Sequence, residues 1–216
     1  MEIRAEHRLY SADVRAKLLR PSLKTLVANS TELKIALDSI SEWYASNSSL
    51  AKNAFQPACA TLVALFGYTP YIGNVYRVIS YYKTKPFSEG EKVSIRTGYS
   101  NLQSWTASLS GAFHFHKSDT NDPKDNVILI RLISSGHQVA NTEWLLSIVE
   151  YLWKFGKRLG DSLYFALAGL REAIAEFESE DEVVMLLPAN VQVEVMAILK
   201  WNDKRKIVRT KNVVSR

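Results

Sequence analysis

Glu178-Ser179-Glu180-Asp181-Glu182-Val183-Val184-Met185-Leu186-Leu187-Pro188 sets acids at alternate positions and then runs into an apolar segment closed by proline. A short apolar run bounded in this way predicts a strand over Val183 to Leu187. A second strand, Val191 to Leu199, follows the turn Pro188-Ala189-Asn190. If the acids continue the extended backbone, period-two alternation puts Glu180 and Glu182 on one face. Two readings stand: a solvated acidic turn after a helix, or a pair of carboxylates at the mouth of a strand.

Upstream, the β-rich signal recurs. Asn74-Val75-Tyr76-Arg77-Val78-Ile79-Ser80-Tyr81-Tyr82 clusters Val, Ile and Tyr and reads as a strand interrupted by Arg77. Val93-Ser94-Ile95 and Leu102-Gln103-Ser104-Trp105-Thr106 are shorter extended pieces, and Ala107 to Phe115 opens a helix. Asn126-Val127-Ile128-Leu129-Ile130-Arg131-Leu132-Ile133 is the strongest strand pattern of all.

The rest is helical. Residues 1–66 carry four helical segments with i, i+3, i+4 apolar spacing; the third holds Leu33, Ile35, Ala36, Leu37, Ile40, Trp43 and Tyr44, and the fourth ends at Gly67. Asn141 or Thr142 caps a helix to Phe155, Gly156 and Gly160 break it, and Asp161 starts another through Ile174. The expected class is therefore α+β, with a helical N-terminal region over 1–66, a core over 67–216, and a helical insertion at about 141–178.

Composition narrows the setting. The 216 residues are 47% hydrophobic and 23% charged, enough apolar material for a packed core. No run approaches the roughly 20 apolar residues that span a bilayer, and Met1-Glu2-Ile3-Arg4-Ala5-Glu6 lacks the apolar core of a signal peptide. The single cysteine, Cys59, allows no internal disulfide and fits a reducing compartment, so a cytoplasmic protein without membrane contact is expected. From Lys200 to Arg216 seven basic residues face one acid, Asp203, while the remainder holds 20 basic against 21 acidic residues. The positive excess is thus C-terminal. It suits a polyanion, or equally the guarding of an edge strand at Lys206-Ile207-Val208-Arg209.

Three features stand in fixed order: Tyr76-Arg77 in a strand, Ser104-Trp105-Thr106 at a strand end followed by Ala112 and Phe115, and Glu180-Asp181-Glu182 before an apolar run, a proline and a strand. In that order and spacing the chain resembles the R-S-E class of mono-ADP-ribosyltransferases, over about residues 71–139 and 178–200. The resemblance implies an ADP-ribosyltransferase-like split β-sandwich core and NAD as substrate. It assigns Glu182 and Glu180 as catalytic residues and Arg77, Ser104, Thr106 and Tyr76 as binding NAD. It also implies transfer of ADP-ribose to a macromolecular acceptor, a protein arginine or a nucleic-acid base. Toxin or phage-defence members of the class are the nearest in kind, and such an enzyme would be held by an inhibitor or antitoxin protein. Glu178 and the second Gln-x-Glu, Gln192-Val193-Glu194, remain alternative acids. A non-catalytic module that binds nucleic acid or protein through the basic tail is the competing expectation.

The chemistry fits those residue types. Cleaving NAD at the nicotinamide bond builds oxocarbenium-like charge, which a fixed carboxylate stabilises. A second carboxylate nearby serves as base for the incoming nucleophile. An arginine fork matches a diphosphate. His114 and His116, at i, i+2 with no third ligand near in sequence, do not read as a metal site.

Overall fold

The computed structural model describes residues 12–46, 48–81, 87–96, 101–109, 111–112, 126–133, 137–175, 181–201 and 207–209. The helices are α1 (Leu23–Ala28), α2 (Ser30–Ser46), α3 (Ser49–Phe66), α4 (Thr142–Trp153) and α5 (Asp161–Ala175). The strands are β1 (Asn74–Tyr81), β2 (Lys92–Arg96), β3 (Leu102–Thr106), β4 (Asn126–Ile133), β5 (Gln138–Asn141), β6 (Glu182–Leu186), β7 (Asn190–Trp201) and β8 (Ile207–Arg209). The architecture is mixed α and β, as expected. Two compact units divide the chain: residues 1–71 with 138–184, and residues 72–137 with 185–216.

The first unit gathers the helices. Leu33, Ala36, Leu37, Ile40, Trp43 and Tyr44 form one buried stripe on α2, the spacing a 3.6-residue helix needs to bury a single side. That helix packs on both α3 and α5. From α3 come Phe55, Cys59, Leu62 and Phe66, and the Trp43 and Phe55 rings lie 4.6 Å apart. From α5 come Leu163, Leu167, Leu170 and Ile174. Helix starts are satisfied locally. The Ser48 hydroxyl accepts from Ala51 N, and the Asn141 side chain from Trp144 N at 2.9 Å. Gly67 ends α3 at φ +70, and a Cβ there would meet Leu19 Cγ at 3.3 Å, so glycine suits both the backbone and the space.

α4 and α5 fall in the same compact unit as α1 to α3, and α5 packs along α2 beside α3. The polar ties are also non-local. Trp144 Nε1 donates to Gly67 O at 2.8 Å and Tyr151 OH to Pro21 O at 2.8 Å. The Gln138 amide acts as a clasp: its Oε1 accepts from Tyr71 N and Tyr68 OH, and its Nε2 donates to Tyr71 O.

The second unit is antiparallel sheet in the order β2-β7-β4-β1-β3, with β8 also on β7. β1 runs against β4 from Asn74 opposite Ile133 to Tyr81 opposite Asn126. β4 runs against β7 with a register shift between Leu129 and Ile130. Residues directly opposite share a face. One face therefore carries Val75, Ile128, Ile130, Val193 and Val195, all buried; the other carries Val78, Leu129 and Ala197, packed with Ala112 and the partly buried Tyr76 and Met196. β5, which the turn-like signal at Ser134-Ser135-Gly136 hides in the sequence, neighbours β6 in the sheet order.

A fragment of residues 1–66 is expected to stay largely unfolded in isolation, since α4 and α5 are missing from its core; far-UV circular dichroism measures this. In the full chain, Leu170→Ala should lower stability by about 2–5 kcal/mol through the cavity it leaves, read from the shift of the urea unfolding midpoint.

Candidate functional site

All four of the expected NAD-binding residues are brought together by the pairing of β1 with β3. Tyr76 stands opposite Thr106. Arg77 Nη1 donates to Ser104 O at 2.8 Å, joining residues 27 apart in sequence. Alternation places Tyr76, Ser104 and Thr106 on one face and Arg77 and Trp105 on the other, so Arg77 reaches its partner through the Ser104 carbonyl. Its guanidinium is half-buried on a face otherwise lined by Val75 and Ile130.

Thr106 is fully buried, and its hydroxyl closes the turn that follows β3, accepting from Ser108 N at 3.0 Å and donating to Ser108 O at 3.2 Å. That is a side-chain turn of the kind Ser and Thr favour. Trp105, on the other face of β3, is also fully buried. Ala112 is buried; Phe115, His114 and His116 lie outside the described residues, as do Glu178 and Glu180.

Glu182 opens β6 and is 3% exposed. Just before it Asp181 adopts φ +48, the one positive-φ non-glycine residue among those described. Such a left-handed residue reverses the local backbone direction. Period-two alternation thus holds from Glu182 onward and does not reach back across Asp181, so the shared face expected for Glu180 and Glu182 loses its backbone premise. Within the helical unit Glu182 sits at the meeting of three helices. Thr142 Oγ1, on the first residue of α4, donates to Glu182 O at 3.3 Å. Tyr44 from α2 is 8% exposed and Cys59 from α3 is fully buried.

The carboxylate marks these neighbours electrostatically. Burial, then the charge of Glu182 and a hydrogen bond with it, raise the Tyr44 phenol well above its ordinary value of 10.0. Burial, then the same charge, push the Cys59 thiol far above its ordinary value of 9.0. A thiol so raised is unreactive. Tyr68 is likewise raised, mainly by burial and against a hydrogen bond from Asn141.

The alternative acid behaves differently. Glu194 on β7 is engaged by Arg131 on β4, with Nη2 to Oε2 at 2.6 Å and both side chains about one-third exposed (31% and 33%). Sequence reasoning missed Tyr44, Thr142 and Arg131 as partners of these acids. For Tyr44 a signal existed: a hydroxyl at the end of an otherwise apolar helical stripe. Arg131, inside the most apolar strand, was a second. Comparisons with protein-family models, with curated proteins and with solved structures find no match to this chain.

The raised groups fix a pH dependence. Above their ordinary values the unfolded chain loses protons that the folded chain keeps, so stability is full below about pH 9 and falls as pH rises. Each raised group contributes a slope approaching about 1.4 kcal/mol per pH unit. Urea midpoints measured from pH 8 to 11 should therefore decline on the alkaline side. Cys59→Ala should flatten the earliest part of that decline while lowering the plateau.

Proposed function

We propose that the chain is an NAD-dependent mono-ADP-ribosyltransferase of the R-S-E class, built on an ADP-ribosyltransferase-like split β-sandwich core. The observation that carries this reading is the bond from Arg77 to the Ser104 carbonyl beside the Tyr76–Thr106 pair. Residues of the first two motifs, far apart in sequence, meet on neighbouring strands.

In the proposed reaction the bond between the ribose anomeric carbon and the nicotinamide nitrogen breaks, and its electron pair leaves with nicotinamide. Glu182 stabilises the oxocarbenium charge that develops. A carboxylate screened from water acts more strongly on such charge than an exposed one. Glu180 takes the proton from the acceptor nucleophile as the new bond to the anomeric carbon forms. Arg77 binds the diphosphate, with Tyr76, Ser104 and Thr106 shaping the strand ends around it. The acceptor is a protein arginine or a nucleic-acid base, and the setting is a cytoplasmic toxin or phage-defence effector restrained by an inhibitor protein.

A second reading is favoured by the surroundings of Glu182. Tyr44, Thr142 and Cys59 enclose it within the helical unit, as they would a carboxylate that ties α2 and α4 to β6. The chain is then a binding module without NAD chemistry.

Glu182→Gln separates the two. The change keeps size and shape, exchanges one acceptor oxygen for a donor, and removes the charge. With radiolabelled NAD and cell lysate, the enzyme reading expects labelled macromolecules from the native protein and a loss of about a hundredfold or more in the variant, with unchanged far-UV circular dichroism. Equal labelling by both proteins removes the assignment of Glu182, and no labelling by either favours the binding module. Digestion of the labelled lysate with nuclease or protease then identifies the acceptor class.

A further inference from the structure

Charge is divided unevenly between the two units. The β unit carries 15 basic against 7 acidic residues, and the helical unit 12 against 15. The strand registers show where part of the β unit's excess lies. β4 occupies one edge of β7, from Glu194 to Leu199. β2 and β8 therefore both lie along the other edge, β2 against Asn190 to Glu194 and β8 against Leu199 to Trp201. Along that edge Arg96 stands opposite Asn190, Lys92 opposite Glu194, and Arg209 opposite Leu199. The span from Asn190 to Leu199 is about 30 Å at roughly 3.4 Å per residue.

Lys92, Ser94 and Arg96 are exposed, as is Gln192, which faces Ser94 across the ladder. Glu194, the acid on this line, is already engaged from the other side by Arg131. No large exposed hydrophobic lies on β2 or β7 among the described side chains. An anionic membrane surface calls for apolar residues that insert beside the cations, and the described side chains of β2 and β7 present no large exposed one. Cations repeating along an extended edge, with small polar groups between them, suit a polymer whose charge also repeats along its length.

We propose that this edge of the β unit binds a nucleic-acid strand through its phosphates, along the line of Arg96 and Lys92. The site stands apart from the NAD reading, since none of these residues is assigned to NAD. It also differs from a guard against edge-to-edge pairing, the other common use of Lys and Arg on an edge strand, because a guard keeps the protein monomeric without holding a ligand.

The test titrates a fluorescein-labelled single-stranded RNA of mixed sequence with the full chain across a series of salt concentrations, reading anisotropy. In parallel, vesicles containing phosphatidylserine are mixed with the protein and sedimented. The native chain is expected to bind RNA with an affinity that falls linearly in log–log form with salt. Lys92→Gln with Arg96→Gln should weaken binding about tenfold or more at low salt. It should also make the salt slope shallower by about 1.4, at roughly 0.7 per lost contact to a single strand. Ser94→Glu, which sets a negative charge between the two, should weaken RNA binding comparably and covers the case in which the double variant folds poorly. RNA binding absent from the native chain, an unchanged slope and affinity in the variants, or tighter binding to the vesicles than to RNA overturns the proposal. So does a double variant that aggregates while its monomer binds RNA as the native chain does, since that result leaves only the guard.

Discussion

The apolar stripe of α2 is answered from both sides by helices distant from each other in the chain. α3 follows it directly, whereas α5 arrives more than a hundred residues later. Leu33, Leu37 and Ile40 are fully buried, and so are Leu62 on α3 and Leu167 and Leu170 on α5. Each such side chain contributes roughly 1.5–3 kcal/mol when removed from water. The other long-range ties of the helical unit, from Trp144 to Gly67 and from Tyr151 to Pro21, hold once that packing has brought α4 beside the N-terminal helices. The location of Glu182 follows from it too, because Tyr44, Cys59 and Thr142 stand on three of the helices so assembled.

Local periodicity made most elements legible. The i, i+3, i+4 spacing of Leu33 to Tyr44 and the Val and Ile runs at 74–81 and 126–133 translate directly into α2, β1 and β4, since burial on one side or both is what those patterns encode. Asn141 and Gly67 were legible as helix ends for the same reason: their side chain, or its absence, solves a backbone problem within a few residues. The grouping of elements was less legible. Nothing near residue 142 says that its helix completes a core begun at residue 23, because that information lies in surface complementarity across more than a hundred positions. β5 was missed since four residues carry too little periodicity to register.

The candidate site divides the same way. The meeting of Arg77 with Ser104 could be anticipated from the order of motifs, because strand pairing is the common fate of two β-rich stretches. The enclosure of Glu182 could not. Alternation through the acidic stretch assumes an extended backbone, and the left-handed turn at Asp181 cancels that assumption. A carboxylate expected at an open strand mouth lies instead among a phenol, a thiol and a threonine, where its charge costs free energy unless hydrogen bonds offset it. That cost is the physical reason to ask what the residue does.

The chain crosses between its two units at residues 71–72, 137–138 and 184–185. During synthesis from the N-terminus, α2 and α3 therefore emerge long before α5 exists to cover them. At the usual pace of roughly 5–20 residues per second, the interval between the end of α3 and the end of α5 is on the order of 5–20 s. For that time Leu37, Ile40 and Trp43 meet solvent, or whatever chaperone the cell provides, while the β strands in between are still being made. The β unit waits as well, because β7, the partner of β2, β4 and β8, follows every other strand but β8 in the chain. Neither unit thus closes its core until α5 and β7 have been made, and products that stop before α5 have no stable core of either kind to fall back on.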